Sequence, residues 1–324
     1  MSLKQTIIAC ELLDSATVNG QSIQDLFRPY ESLGVRVTVT TVNDEPPEDT
    51  AKTTDFIHIL IPGTRGKTAG GAARTLGLIG RNGAIGARPA KIGMVSDADG
   101  PIGVIAAALK LADMKANGDH LPGDVVITTH LSTDVSAGEN DGVPFMGMPV
   151  SSETMNRHEV TADMDAILSL DASKGNSIIK QRGFAITPTA MQGYILRVAP
   201  HLVKIMESTT GQPAVTLPIS IQDITPYANG LYHFNSIMQP HIATHAPVVG
   251  VAITARSVVG GSDSSANHEV DVAEAVRFCV EVAKRFTVAS AGNPCEFYDA
   301  KEWTKIQSMY PDLSVFQTNG NAQA

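Results

Sequence analysis

Lys91-Ile92-Gly93-Met94-Val95-Ser96-Asp97-Ala98-Asp99-Gly100-Pro101-Ile102-Gly103-Val104 is the stretch whose reading decides the fold. Its first five residues read as a strand and its middle as a polar turn. The run from Ile102 to Ala116 reads as a helix, apolar on most faces and therefore buried. A second unit follows the same rule: the strand Ala166-Ile167-Leu168-Ser169-Leu170 gives way to Asp171-Ala172-Ser173-Lys174-Gly175. Strands alternating with helices predict an α/β protein with a mixed, mostly parallel sheet and helices on both faces. In such sheets ligands bind in the crevice beyond the carboxyl ends of the strands. Asp99 and Asp171 fall where a hard cation or an acid–base group is useful. The commoner task of an Asp after a strand is to cap a turn or helix.

Outward from these units, helices are expected at Lys4–Leu13 and Ser22–Leu33, joined at Asn19-Gly20. Val35, Val37 and Val39 alternate with Arg36, Thr38 and Thr40 as in a half-buried strand, and an apolar strand from Phe56 to Ile61 carries His58. Glycines at 77, 80, 83 and 86 predict a compact, hairpin-like excursion from the main sheet over residues 63–90. Further strands are expected at Val125–Thr129, Phe184–Thr187, Ala214–Ile219 and Val248–Thr254, with helices at Tyr194–Glu207 and Val270–Phe286. The organisation expected is a single domain over 1–317 with a mobile tail, 318–324.

The chain has 324 residues, 43% hydrophobic and 18% charged, which suits a soluble globular protein with a sizeable core. Its 24 basic and 33 acidic residues give a net charge of −9, with no basic block to attract nucleic acid or an anionic membrane. The cysteines, Cys10, Cys279 and Cys295, share no redox or metal spacing, and no stretch resembles a signal peptide or a membrane span. A cytoplasmic protein is the expectation. Gly63-Thr64-Arg65-Gly66-Lys67-Thr68 has the tail of a phosphate-binding loop, but Ile61 stands where that loop needs glycine. GxGxxG, GxSxG and HExxH are absent.

His58, Asp99, Asp134, Asp171 and His268 each stand in or beside a different expected strand or its following loop. Two histidines and three carboxylates suit Zn²⁺, or Mn²⁺ or Co²⁺, and two such ions need a bridging carboxylate. Each has a plainer alternative: a hydrogen-bonded core histidine for His58, a turn for Asp134, a helix cap for His268. Asp97 and His130 are the candidates for a catalytic acid or base. Asp223, Tyr227, Asn229 and His233 belong to a loop rich in hydrogen-bonding side chains and are candidates for substrate binding. Arg81 and Arg88 read as solvated surface arginines, with capture of a substrate carboxylate as the alternative.

The order and local contexts of these residues resemble the co-catalytic zinc aminopeptidase superfamily, especially its tetrahedral-aminopeptidase branch. Asp99-Gly100-Pro101-Ile102-Gly103-Val104 matches its Asp-x-x-x-Gly-Val pattern leading a buried helix. Thr133-Asp134-Val135 falls on its paired glutamates, Asp171 on an Asp ending an apolar strand, and His268 is the histidine nearest its last ligand. The resemblance implies a phosphorylase-like three-layer fold and hydrolysis of peptide or amide bonds in small substrates. It also implies a zinc pair held by His58, Asp99, Asp134, Asp171 and His268. Three departures stand out. His58-Ile59-Leu60 lacks the family's orienting Asp, Thr133 stands at the general-base Glu, and the large inserted domain is reduced to the glycine-rich stretch. The rival expectation is a non-catalytic small-molecule-binding or assembly protein on the same scaffold. The apolar N-terminal helices and the glycine-rich stretch offer contact surface for a homo-oligomer.

A closer resemblance rests on Gly93-Met94-Val95-Ser96-Asp97-Ala98-Asp99-Gly100, on Gln222-Asp223-Ile224-Thr225-Pro226-Tyr227 with Asn229-Gly230-Leu231-Tyr232-His233, and on Asn267-His268-Glu269-Val270-Asp271. Together they resemble a bacterial domain-of-unknown-function family, number 1177, over nearly the whole chain. That likeness implies a fold and brings no activity with it.

Overall fold

The computed structural model describes residues 2–45, 52–140, 142–219, 236–264, 266–288, 295–310 and 313. The chain opens with α1 (Leu3–Leu13) and α2 (Gly20–Phe27). Asn19 starts α2 by accepting from the Ser22 N–H while the Ser22 hydroxyl accepts from the Asn19 N–H, a reciprocal cap. A 3₁₀ turn over Arg28–Leu33 ends at Gly34, whose φ of 84° suits glycine. Then follow β1 (Arg36–Asn43), β2 (Thr53–Ile61), β3 (Leu76–Gly80), α3 (Asp99–Ala116) and β4 (Val125–Leu131). The hairpin β5 (Ala137–Asn140) and β6 (Val143–Met146) leads to α4 (Ser152–Glu159) and β7 (Ala166–Ala172). The chain continues through β8 (Gly183–Ile186), β9 (Ala190–Met191), β10 (Tyr194–Ile195), α5 (Pro200–Thr210), β11 (Val248–Thr254), α6 (Glu269–Val288) and α7 (Ala300–Met309).

The main sheet runs β1-β2-β4-β3-β7-β11-β9-β10, with β8 paired to β11. Its centre, β4-β3-β7-β11, is parallel, and antiparallel strands flank it on both sides. Side chains alternate across this sheet as strand geometry requires. Leu76, Leu78, Ile127, Leu168, Leu170 and Val251 face one core, filled by α1, α3 and α6. Ile79, Val126, Ile167, Val248 and Ala252 face the other, covered by α4 and the 3₁₀ segment Ser236–Ala243. The expected α/β architecture, with a mostly parallel sheet between helical layers, is thus observed. No helix among the described residues is long and apolar enough to cross a membrane.

The strand before α3 is not where the sequence pattern put it. Residues 91–95 are irregular, and Val95 makes only an isolated bridge to Ser264. The strand that enters the α3 crossover is β3, inside the stretch expected as a hairpin-like excursion, and it lies between β4 and β7. Its glycines are there for close approach. A Cβ on Gly77 would lie 2.5 Å from Met164 Sδ, and one on Gly80 would lie 2.6 Å from Val104 Cγ2 and 2.8 Å from the Gly100 carbonyl oxygen. Glycine thins the sheet where helix and neighbouring chain press on it. The stretch Ala214–Ile219 forms no strand; Thr216 makes one isolated bridge to Ile186. The helix expected from Tyr194 begins at Pro200, because Tyr194 and Ile195 pair with Met191 and Ala190. Gly80→Ala is expected to cost about 1–3 kcal/mol through overpacking. A lower urea midpoint at unchanged m-value checks it.

Candidate functional site

The parallel strands β3 and β7 end side by side, and the start of α3 is pressed onto them. A Cβ on Gly100 would lie 2.1 Å from the Arg81 carbonyl oxygen and 3.0 Å from that of Leu170, so only glycine lets the helix reach the strand ends. The Arg81 N–H donates to the Leu170 carbonyl, and Asn82, at φ 62°, donates its amide to Asp171. Asn is among the few non-glycine residues that accept this left-handed conformation. Asp99, the first residue of α3, is fully buried. Its Oδ2 lies 2.5 Å from Nζ of Lys174, which follows β7 and is itself only 1% exposed. Lys174 also donates to the Ala266 carbonyl at 2.6 Å, and the Asn267 amide donates to Asp99 Oδ1 at 2.7 Å. Asp97, 8% exposed, lies against the backbone of Gly261, where a Cβ would sit 2.1 Å from Asp97 Oδ1.

Two carboxyl groups and one ammonium thus share a buried site. Burial pushes Asp97 up to about 7, the neighbouring Asp99 adds to this, and Lys174 pulls the other way. Burial also raises Asp99 above its ordinary value, against the pull of Lys174, Asn267 and His268. A strongly shifted carboxyl beside a named charge partner, at the ligand end of a parallel sheet, marks a candidate functional site.

A second buried charge network adjoins this cluster on the α4 side of the sheet. Arg81 follows β3 directly, and its Nη1 lies 2.5 Å from Glu159 Oε2 at the end of α4. Its Nη2 donates to Gln239 Oε1 at 2.8 Å. Glu159 Oε1 is 2.5 Å from His130 Nδ1, while His130 Nε2 accepts from the Gly83 N–H at 3.1 Å. Because Nε2 accepts, the ring proton sits on Nδ1 and points at Glu159. Burial works to raise Glu159, but Arg81 and His130 outweigh it and hold the carboxyl below its usual range.

The residues expected to share a cation are distributed as follows. Asp99 and Asp171 both stand, buried, where the ends of β3 and β7 meet the start of α3. His268 immediately precedes α6, where its carbonyl accepts from the Asp271 and Val272 N–H groups, and its exposed side chain is close enough to act on Asp99. His58 lies mid-strand in β2 opposite Thr128. It is three strand positions from β7, about 14 Å at ~4.8 Å per spacing. It is half-buried there, and burial lowers its pKa. Asp134 pairs with Lys52 at 3.0 Å in a half-exposed position. Among the described residues, no group of three or more His, Cys, Asp or Glu side chains is arranged to hold a metal ion. Asp99, which the zinc-aminopeptidase resemblance makes the bridging ligand, already has a buried ammonium on it. The donors among the described residues do not fit a two-ion centre of Zn²⁺, Mn²⁺ or Co²⁺.

His130 has both ring nitrogens engaged, so it can exchange a proton with a ligand only by breaking one of those bonds. Asp223, Tyr227, Asn229 and His233 lie outside the described residues. Arg81, expected on the surface, is buried and ion-paired. Lys174, Asn267 and Glu159 carry the charge chemistry of the region without having been singled out in the sequence. Lys174 had one signal, its place three residues after Asp171 at a strand end.

Glu159→Gln leaves the Arg81 charge buried without its carboxylate and is expected to cost about 3–5 kcal/mol, read as a drop in denaturant midpoint. For Asp97, the folded-state pKa of about 7 lies above the ordinary 3.8. The folded chain therefore holds that proton more tightly than the unfolded chain, and stability falls as pH rises from about 4 to 7, then levels. Asp97→Asn is expected to remove this contribution, which a comparison of melting temperatures across that pH range checks.

Comparison with known proteins agrees with the architecture. The family described as "Protein of unknown function (DUF1177)" matches residues 46–320. Comparison with curated proteins gives no match. Among solved structures, the chain is similar to the apo leucyl aminopeptidase of Trypanosoma cruzi, with a TM-score of 0.53 and 12% identity over 85% of this chain and 62% of that one. A leucyl aminopeptidase of Trypanosoma brucei, solved in complex with actinonin, gives a TM-score of 0.53 and 12% identity over 86% and 62%. The bottromycin maturation enzyme BotP, solved with Mn, gives 0.49 and 14% over 87% and 71%. The chain spans about three-fifths of the length of the two trypanosomal enzymes. At such identities the likeness is one of fold: this chain's fold is aminopeptidase-like, and the chain belongs to the DUF1177 family.

Proposed function

We propose that this chain hydrolyses peptide or amide bonds in small substrates, working in the crevice beyond the carboxyl ends of β3 and β7. One observation carries the reading: Asp97 and Asp99, from the turn that opens α3, and Lys174, from beyond β7, are gathered as buried ionisable groups at the ligand-binding end of an aminopeptidase-like sheet. Charges so placed contribute little net stability, which favours a chemical role for them. Asp97 is the group suited to proton transfer, because a carboxyl with a pKa of about 7 is populated in both forms at neutral pH. As carboxylate it takes a proton from the water that attacks the carbonyl carbon. As acid it returns that proton to the departing nitrogen while the C–N bond breaks. Lys174 and Asp99 fix the electrostatic surroundings of that carboxyl. Asp223, Tyr227, Asn229 and His233 are proposed, on their chemistry alone, as the surface that recognises the substrate.

The second reading is a non-catalytic binding protein on the same scaffold, and the ion pair between Lys174 and Asp99 favours it, since that pair neutralises a carboxylate the family resemblance assigns to chemistry. A panel of aminoacyl anilides and dipeptide amides, assayed with and without added Zn²⁺, Mn²⁺ and Co²⁺, separates the two. Hydrolysis is expected to fall about 10²–10⁴-fold in kcat/KM in Asp97→Asn at unchanged fold. Shifts in melting temperature with substrate and no turnover by the wild-type chain under any condition would support the binding reading instead.

A further inference from the structure

We infer that the Lys174 ammonium is a resident cation that fills an all-oxygen cradle, and that this cradle accepts a hard divalent ion of the Mn²⁺ or Mg²⁺ class only when the lysine side chain is removed. Nζ lies 2.5 Å from a carboxylate oxygen of Asp99 and 2.6 Å from the carbonyl oxygen of Ala266, with the Asp97 carboxylate close enough to act on both charges. Anionic and carbonyl oxygens around a single positive centre are the donor set hard cations use.

The cradle is built rather than incidental. Lys174 is 1% exposed and Asp99 fully buried, so both give up their hydration to meet there. Asn267 holds the other Asp99 oxygen and reaches the Ser96 carbonyl, which joins the turn before α3 to the loop before α6. Gly261 closes the side nearest Asp97, where any side chain would collide with both carboxylate oxygens, at 2.1 and 2.7 Å. Asp99 Oδ2 makes no hydrogen bond besides its contact with the ammonium, and the buried Ser262 hydroxyl has no partner. The residues that hold the cradle come from the start of α3, the turn after β7, and Gly261, Ala266 and Asn267 ahead of α6.

A lysine placed this way acts as a fixed monovalent ion. It supplies positive charge that neither dialysis nor a chelator removes. With the side chain truncated, two buried carboxyl groups lose their counter-charge, a condition relieved by a proton on one of them or by a cation that displaces that proton. The inference concerns what occupies the cradle and does not depend on whether the crevice hydrolyses amides.

The test uses the full chain and MnCl₂ as probe, with calorimetric titration and bound-metal analysis after dialysis. Wild type and Lys174→Arg, which keeps the charge, are expected to take up no Mn²⁺ that Asp99→Asn abolishes. Lys174→Met is expected to bind one equivalent, to melt lower without metal, and to regain about 5 °C at ~100-fold excess over Kd. Adding Asp99→Asn to Lys174→Met removes that binding. If Lys174→Met folds only in the presence of Mn²⁺, that too is the expected behaviour. Uptake of Mn²⁺ by the wild-type chain that Asp99→Asn abolishes would overturn the inference. So would a Lys174→Met variant that folds and binds none, or one that stays unfolded with Mn²⁺ present while Lys174→Met with Asp99→Asn folds. Failure to find amidase activity would leave each of these readings intact.

Discussion

The contact on which the rest of this structure depends is that between the start of α3 and the ends of β3 and β7. Gly80 and Gly100 remove two side chains from that contact, so the helix backbone comes within van der Waals distance of the sheet. Asp99 is thereby carried into the interior, where water cannot solvate it. Its burial then demands a partner, and Lys174, three residues after Asp171, is the partner that the adjacent strand delivers. Close backbone approach thus comes first and the buried charge pair follows from it.

Two buried charge networks sit near each other, and each is satisfied by its own partners. On the α4 side, Arg81, Glu159, His130 and Gln239 satisfy one another through short bonds, and their net effect is to hold Glu159 ionised. Beyond the strand ends, the balance differs: one ammonium serves two carboxylates, and Asp97 is left near neutrality in its tendency to ionise. The first network reads as a brace that fixes α4 and the Ser236–Ala243 segment onto the sheet. The second retains unspent acid–base capacity, which is why the function is sought there.

Much of the architecture was legible from the sequence, for identifiable reasons. The buried face of α3 and the strands β7 and β11 announce themselves through apolar runs, and Asp99 and Asp171 stand where the runs of α3 and β7 meet polar sequence. β3 did not, because Gly77 and Gly80 look like loop residues until the helix that presses on them is known. Arg81 looked solvated because its carboxylate partner lies 78 residues away in the chain. The residues expected around a shared cation were chosen by type and by position at strand ends, and such a choice carries no information on lateral distance. His58 shows this: its strand joins the sheet antiparallel, beyond β4, so its side chain stands away from β7. Lys174 was hidden for the opposite reason, since a lysine in a polar turn is ordinarily solvated.

The central claim is that a lysine, and not a metal ion, neutralises Asp99 in the native chain. A crystal of the wild-type protein grown with Mn²⁺, with diffraction recorded above the manganese absorption edge, tests it most directly. No anomalous peak is expected beside Asp99, where Lys174 Nζ keeps its contact with the carboxylate. A strong peak coordinated by Asp99, with the lysine side chain turned away, would contradict it.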